Sequence, residues 1–150
     1  MGVSIKVTGA DTVGRYVGSI PGTIQKRFLE AMRISLRDIQ EQARAKHRFT
    51  TRTGDAERSI EASEVHSNNH TVRGEVGTTR LITIYLHQGT KPHNIMPRNK
   101  RVLRWADGGG FVFARRVKHP GTKKDPFIFD AADAQEAAIV SRFDKIIASL

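Results

Sequence analysis

An α+β domain is the fold predicted for this chain of 150 residues, and three patterns predict it. Apolar residues recur every three to four positions from Ile24 to Ala43, which is helical spacing. The same spacing returns from Phe127 to Leu150. Between the two lie short alternating stretches, on either side of Ser67-Asn68-Asn69-His70 and of Asp107-Gly108-Gly109-Gly110, with the period of half-buried strands. Helix, strands, helix in that order means a long N-terminal helix and a C-terminal helix packed on a mostly antiparallel sheet. The length suits a single domain over residues 1–150. A chain this long buries roughly 68–70% of its unfolded surface and needs no covalent or metal staple.

Each element has its own grounds. In residues 1–21, Val3, Ile5 and Val7 alternate among glycines, which suits an edge strand or a flexible arm, and Gly18–Gly22 reads as a loop. From Gly22 or Thr23 a helix carries Ile24, Phe28, Met32, Leu36, Ile39 and Ala43 on one side. Lys26, Arg27, Glu30, Arg33, Arg37, Glu41 and Arg44 line the other, and the helix ends around His47. At 1.5 Å per residue it runs roughly 35–38 Å, and it is read as an ordinary core helix. Gly54 supplies the following turn. Ser59–His66 and Thr71–Thr78 form a hairpin across an Asn-containing turn. Leu81–Leu86 is too short and too apolar for periodicity to choose between strand and helical turn.

Gly89 breaks the chain there, and Pro92 and Pro97 keep the next segment out of helix. Val102, Leu103 and Trp105, then Phe111, Val112, Phe113 and Val117, make a second hairpin with a glycine tip. Asp125-Pro126 starts the last helix, with the carboxylate expected to accept free N–H groups and proline preset for the first helical position. That helix is expected from about Pro126 to Ser149, with Phe127 buried beneath it.

The charge is unevenly placed. The chain carries 25 Lys and Arg against 15 Asp and Glu, a net +10. Lys91, Arg98, Lys100, Arg101, Arg104, Arg115, Arg116, Lys118, Lys123 and Lys124 fall in one segment whose only acid is Asp107. Ten cations less one acid leave +9 between residues 91 and 124, and +1 for everything else. This basic extended hairpin is expected to protrude and to meet a polyanion, an acidic protein surface or anionic lipid.

Composition and motifs argue against catalysis. With no cysteine, disulfides, thiolate nucleophiles and Cys-type metal sites are excluded. No apolar run approaches the ~20 residues of a membrane span, and no charged-then-apolar leader opens the chain, so a soluble, unsecreted domain is expected. His87 and His93, six apart with Gly89 and Pro92 between, match no zinc spacing, and each histidine reads as lone and exposed. His93-Asn94 lacks the second histidine or carboxylate pair of a nuclease. Gly108-Gly109-Gly110 lacks the residues of a phosphate loop or dinucleotide fingerprint, and no nucleophile elbow occurs. The expectation is no enzyme, no cofactor and no metal. No sequence-reading DNA motif occurs either. Trp105, Phe111 and Phe113 interleave with the cations but have apolar neighbours, so they are expected to pack inward rather than stack on bases.

The second half of the chain carries an ordered set of short motifs. Tyr85 precedes Gln88-Gly89-Thr90, Pro92-His93-Asn94-Ile95-Met96-Pro97 and Val102-Leu103-Arg104-Trp105. Phe113, Arg116-Val117, His119-Pro120-Gly121-Thr122, Pro126-Phe127-Ile128 and Ala131 follow. With Thr53-Gly54 and Arg58-Ser59-Ile60 upstream, the pattern resembles the tail-completion, or head–tail joining, proteins of long-tailed bacteriophages, over roughly residues 28 to 143. It departs at Gln88, where that family often has an acid, and in the polar turn Asp55-Ala56-Glu57-Arg58.

The resemblance implies a structural virion protein that forms a sixfold or twelvefold ring at the neck, made in the host cytoplasm. Its implied partners are copies of itself, the head connector, and the tail tube or terminator. The ten cations then dock acidic neighbours or line the route of the genome. A tail terminator or other minor tail protein is the near alternative. A basic, sequence-blind nucleic-acid-binding accessory protein is the alternative of another class.

Overall fold

A computed structural model describes residues 2–8, 22–68 and 71–149. The fold is α+β, with helices α1 (Gly22–Ala45) and α4 (Phe127–Ile147) as its two long elements. Both match the predicted periodicity within a few residues. Of residues 1–21, Val3–Thr8 form strand β1 at the edge of the sheet; residues 9–21, with all of the predicted Gly18–Gly22 loop but Gly22, lie outside the described residues.

The sheet is organised around β4 (Val72–Thr78). β1 pairs with it antiparallel, Val3 opposite Thr78 and Thr8 opposite Arg73. On its other edge run β2 (Glu61–Ala62) and β3 (His66–Ser67), also antiparallel. These two are the predicted Ser59–His66 strand, interrupted in the middle. The cause is Ser63, whose hydroxyl accepts the Glu75 N–H at 2.9 Å where a strand carbonyl would. A side-chain acceptor competing with the ladder lets the chain leave it for residues 63–65. At the hairpin turn, the Asn68 side-chain carbonyl accepts the Thr71 N–H at 2.8 Å.

α1 lies on the sheet and buries Phe28, Ala31, Met32, Ser35, Leu36, Ile39 and Ala43. Gly74 of β4 permits the close approach, because a Cβ there would collide with the Leu36 side chain. α4 packs antiparallel to α1. Phe28 stacks on Phe143, with ring centroids 5.9 Å apart. The Arg142 guanidinium donates to Ser35 Oγ at 2.7 Å and to Asp38 Oδ2 at 2.6 Å, and Gln135 bonds Gln42 further along. The main core joins Met32, Leu36, Ile39, Ile60, Val76, Ile84, Phe127 and Ile128.

The undecided segment is a helix, α3 (Leu81–Gln88), which follows the short helix α2 (Asp55–Arg58) and strands β2 to β4. It buries Thr83, Ile84 and His87 and leaves Leu81, Ile82 and Tyr85 in solvent. Ser59 Oγ lies 2.8 Å from Thr83 Oγ1 and 3.0 Å from Thr78 Oγ1, so three hydroxyls fasten α3 to the sheet.

Two expectations are corrected here. His87 is not an exposed histidine: it is 1% exposed, edge-on to Phe127 at 5.1 Å and Phe129 at 4.7 Å, with neither ring nitrogen hydrogen-bonded. Its place three residues after Ile84 on the inner side of α3 puts it there. Nor does Asp125 cap α4. Pro126 stands between it and the helix, and the carboxylate instead accepts the N–H groups of Arg48 at 2.5 Å and Phe49 at 3.3 Å. It joins the loop after α1 to the start of α4.

Phe127 is fully buried, as predicted, with the edges of Phe49 and His87 against it. Phe127→Ala should therefore cost about 3–5 kcal/mol in denaturant unfolding, the usual loss for a large ring removed from a core. Burial and the nearby Lys124 hold the His87 imidazole below its ordinary 6.5, against the opposing pull of Asp125 and Asp130. The unfolded chain therefore binds this proton first as pH falls, and stability rises with pH wherever the unfolded state holds more protons. Stability should be level above pH 6.5 in this respect and decline below it. The decline should weaken in His87→Leu, as read from melting temperature against pH.

Candidate docking arm

The ten predicted cations sit on a two-stranded arm and at its root. The chain leaves α3 at Gly89 and returns at Thr122, where Thr90 and Thr122 exchange backbone hydrogen bonds at 2.9 and 3.1 Å. Gly121, at φ 90°, makes this root possible: a side chain there would strike the Thr90 carbonyl and the Lys91–Pro92 backbone. Outward from the root, β5 (His93–Ile95) pairs antiparallel with β8 (Val117–His119), and the rings of His93 and His119 lie 4.9 Å apart. Further out, β6 (Leu103–Asp107) pairs with β7 (Gly110–Ala114) across the Gly108-Gly109 tip. This is the second predicted hairpin, extended by a second pair of strands. The twelve steps from Gly110 to Thr122, at about 3.3 Å each, give a contour of about 40 Å.

Between the two ribbons the strands are unequal. Residues 96–102 on one side face only Arg115 and Arg116 on the other. The excess chain bulges out with Arg98, Lys100 and Arg101, so five cations gather at one level of the arm. Arg104 belongs to β6 and Lys118 to β8, while Lys91 stands at the root. Lys123 and Lys124 are set apart, in the link from root to α4. All ten are exposed. None of them takes part in an ion pair among the described residues.

The arm's apolar side chains overturn a further expectation. Directly paired residues of an antiparallel ribbon share a face. Arg104 with Phe113 and Ala106 with Phe111 therefore lie on one face, and Leu103 with Ala114 and Trp105 with Val112 on the other. Neither aromatic group packs inward: Phe113 is 60% exposed, Phe111 57% and Trp105 40%. The reason is geometric. A ribbon of two strands has no third layer over either face, and the alternation that suits half-buried strands here leaves both faces bare. The Arg104 guanidinium lies 3.6 Å from the centre of the Phe111 ring, a cation–π contact that covers part of it. Ile95 and Met96 are exposed as well. Sequence reasoning found the cations and missed these anchors; the signal was the absence of a third strand able to pair with β6 or β7.

Such a surface joins exposed positive charge to exposed apolar area. Among the described residues no three His, Asp or Glu side chains stand together as a metal site. Arg, Lys and aromatic side chains in this pattern suit an acidic protein face or a polyanion. Trp105 is the only tryptophan of the chain, so indole fluorescence reports on the arm alone. The isolated chain should emit at the long wavelengths of hydrated indole and be readily quenched by acrylamide. Emission that is already blue-shifted and protected would contradict the uncovered arm. No family model, curated protein or solved structure matches this chain.

Proposed function

We propose that the chain is a structural subunit that assembles as a ring at the head–tail junction of a tailed bacteriophage, as a tail-completion or neck protein, and catalyses no reaction. The observation that carries this reading is the arm and its root: ten exposed cations without an ion pair among the described residues, and three largely exposed aromatic rings on a two-stranded ribbon. The resemblance of its motif order to head–tail joining proteins points the same way. A folded body with one projecting element offers two unlike faces, which is what head-to-tail closure of a ring requires. Its neighbours would be its own copies, the head connector and the tail tube or terminator, in the virion once assembly in the host cytoplasm is complete. Lys91, Arg98, Lys100, Arg101, Arg104, Arg115, Arg116, Lys118, Lys123 and Lys124 would set register and choice of neighbour, the usual work of interfacial charge. A tail terminator would use the same arrangement.

A second reading has a specific observation in its favour. Exposed Trp105, Phe111 and Phe113 among cations are also what a sequence-blind nucleic-acid binder presents to bases and phosphates. The two readings separate in one experiment at about 0.15 M salt, where exposed charges are already well screened. Ring formation means a discrete oligomer, or assembly on a purified neighbour, with little DNA retention. Tight DNA binding by a strict monomer, falling steeply with salt, favours the second. In the ring, Arg115→Glu with Arg116→Glu should abolish assembly while leaving the melting temperature unchanged, since both side chains are exposed. Assembly that survives the double reversal would reduce these charges to solvation.

A further inference from the structure

We propose that the arm of one copy seats on the outer face of α4 of the next copy. Phe111 and Phe113 would enter the groove around Val140, and the arm's cations would face Asp133, Glu136 and Asp144. This rests on the ring reading above and names the contact that would close it.

α4 has two stripes. Phe127, Ile128, Ala131 and Ile146 are buried against α1 and the sheet. The opposite stripe, Asp133, Ala137, Val140, Asp144 and Ile147 at helical spacing, is exposed along its whole length, about 21 Å at 1.5 Å per residue. Val140 and Ile147 are among the large apolar side chains left in solvent, and a shallow groove runs between Glu136, Ala137, Val140 and Asp144. Elsewhere on the helices the inward or flanking carboxylates are matched: Asp38 by Arg142 and Asp130 by Arg48. Asp133, Glu136 and Asp144 form no ion pair among the described residues, and the only cation lining the groove is Lys145.

The stripe therefore offers what the arm lacks, an apolar floor with negative sides. No other described face offers both. The outer side of α1 carries Lys26, Arg27, Arg33 and Arg37, and its Glu30 and Glu41 already meet Arg33 and Arg37. It would repel the arm. The outward side of α3 is apolar, with Leu81, Ile82 and Tyr85, but the helix contains no acid. No large apolar side chain of the β1–β4–β2 sheet is exposed among the described residues.

Within one copy the arm's rings and Val140 are all exposed, so the contact is not made internally. An arm with a contour of about 40 Å is comparable in scale with a 150-residue domain, itself about 40 Å across, so its tip can meet the surface of an adjacent copy. A contact between unlike faces repeats from copy to copy until it closes.

The chain has no cysteine, so paired cysteines can be placed without background. Ala106 shares the arm face of Phe111 and Phe113, and Ala137 lines the α4 groove; both are exposed, and replacing them keeps the anchors. Ala106→Cys with Ala137→Cys, oxidised at about 0.15 M salt, should give a ladder of disulfide-linked oligomers ending at the ring number and collapsing on reduction. Either single variant should give nothing beyond a dimer. A ladder from Ala106→Cys with Ile82→Cys instead would overturn the proposal in favour of α3 as the receiving face. An oligomer that forms with no ladder would overturn it and leave the ring reading standing. A monomer that yields no ladder also overturns it, and if that monomer is retained on DNA the ring reading falls with it. As a second measurement, Asp133→Lys, Glu136→Lys and Asp144→Lys together should reduce the oligomer to monomer with an unchanged melting temperature. A triple variant that still assembles rules the contact out.

Discussion

Two paired strands satisfy each other's backbone on one side only and cannot cover each other's side chains. In a sheet the cover comes from a further layer; here the sheet of β1 to β4 has α1 on it, while among the described residues the ribbon of β5 to β8 joins no larger sheet and no core cluster. A lone ribbon is marginal in water. This one keeps three aromatic rings and most of the chain's net charge in solvent. That combination leaves apolar area and unpaired charge in water, where a covering surface would lower its cost. The division of the molecule into a self-sufficient body and a dependent arm follows from that constraint.

The body is built to hold the arm's root steady. α1 and α4 lie antiparallel and are tied at several levels, by Phe28 with Phe143, by Arg142 with Ser35 and Asp38, and by Gln42 with Gln135. Asp125 clamps the end of α1 to the start of α4, and the same residue's N–H reaches back to Leu86 in α3. The chain re-enters the body through this residue, so arm, helices and core meet within a few ångströms. His87 sits at that junction as a neutral ring between Phe127 and Phe129. A buried polar ring without partners weakens a core, and its presence there concentrates the sensitivity of the body to acid at the base of the arm.

Much of this fold was legible in the sequence because it rests on long periodic segments. The first helix buries the side that its spacing marks from Phe28 to Ala43; the last does so at Phe127, Ala131 and Ile146 but leaves Ala134, Ala138 and Ile147 exposed, and the glycine tip of the second hairpin falls where the alternation places it. What was not legible depends on partners remote in the chain. α3 is eight residues, too short for its period to be distinguished, and His87 is inside only because Ile84 turns that side toward Phe127. Asp125 has the local signature of a cap, but its acceptors' partners are 76 and 77 residues away. The positions of the ten cations were readable as a cluster. Exposure of Trp105, Phe111 and Phe113 was not, since alternation reports that a strand has two faces and is silent on whether anything covers them.

The root itself has a consequence for how such a protein can change over generations. The Thr90–Thr122 bridge, with Gly89 and Gly121 packed closely at it, closes the base of the arm, and the strands beyond it keep most of their side chains in solvent. Substitutions outboard of that neck can therefore accumulate without endangering the hydrophobic centre. The helices, by contrast, evolve under mutual veto. The body is conservative by construction, and the arm is where novelty is cheap.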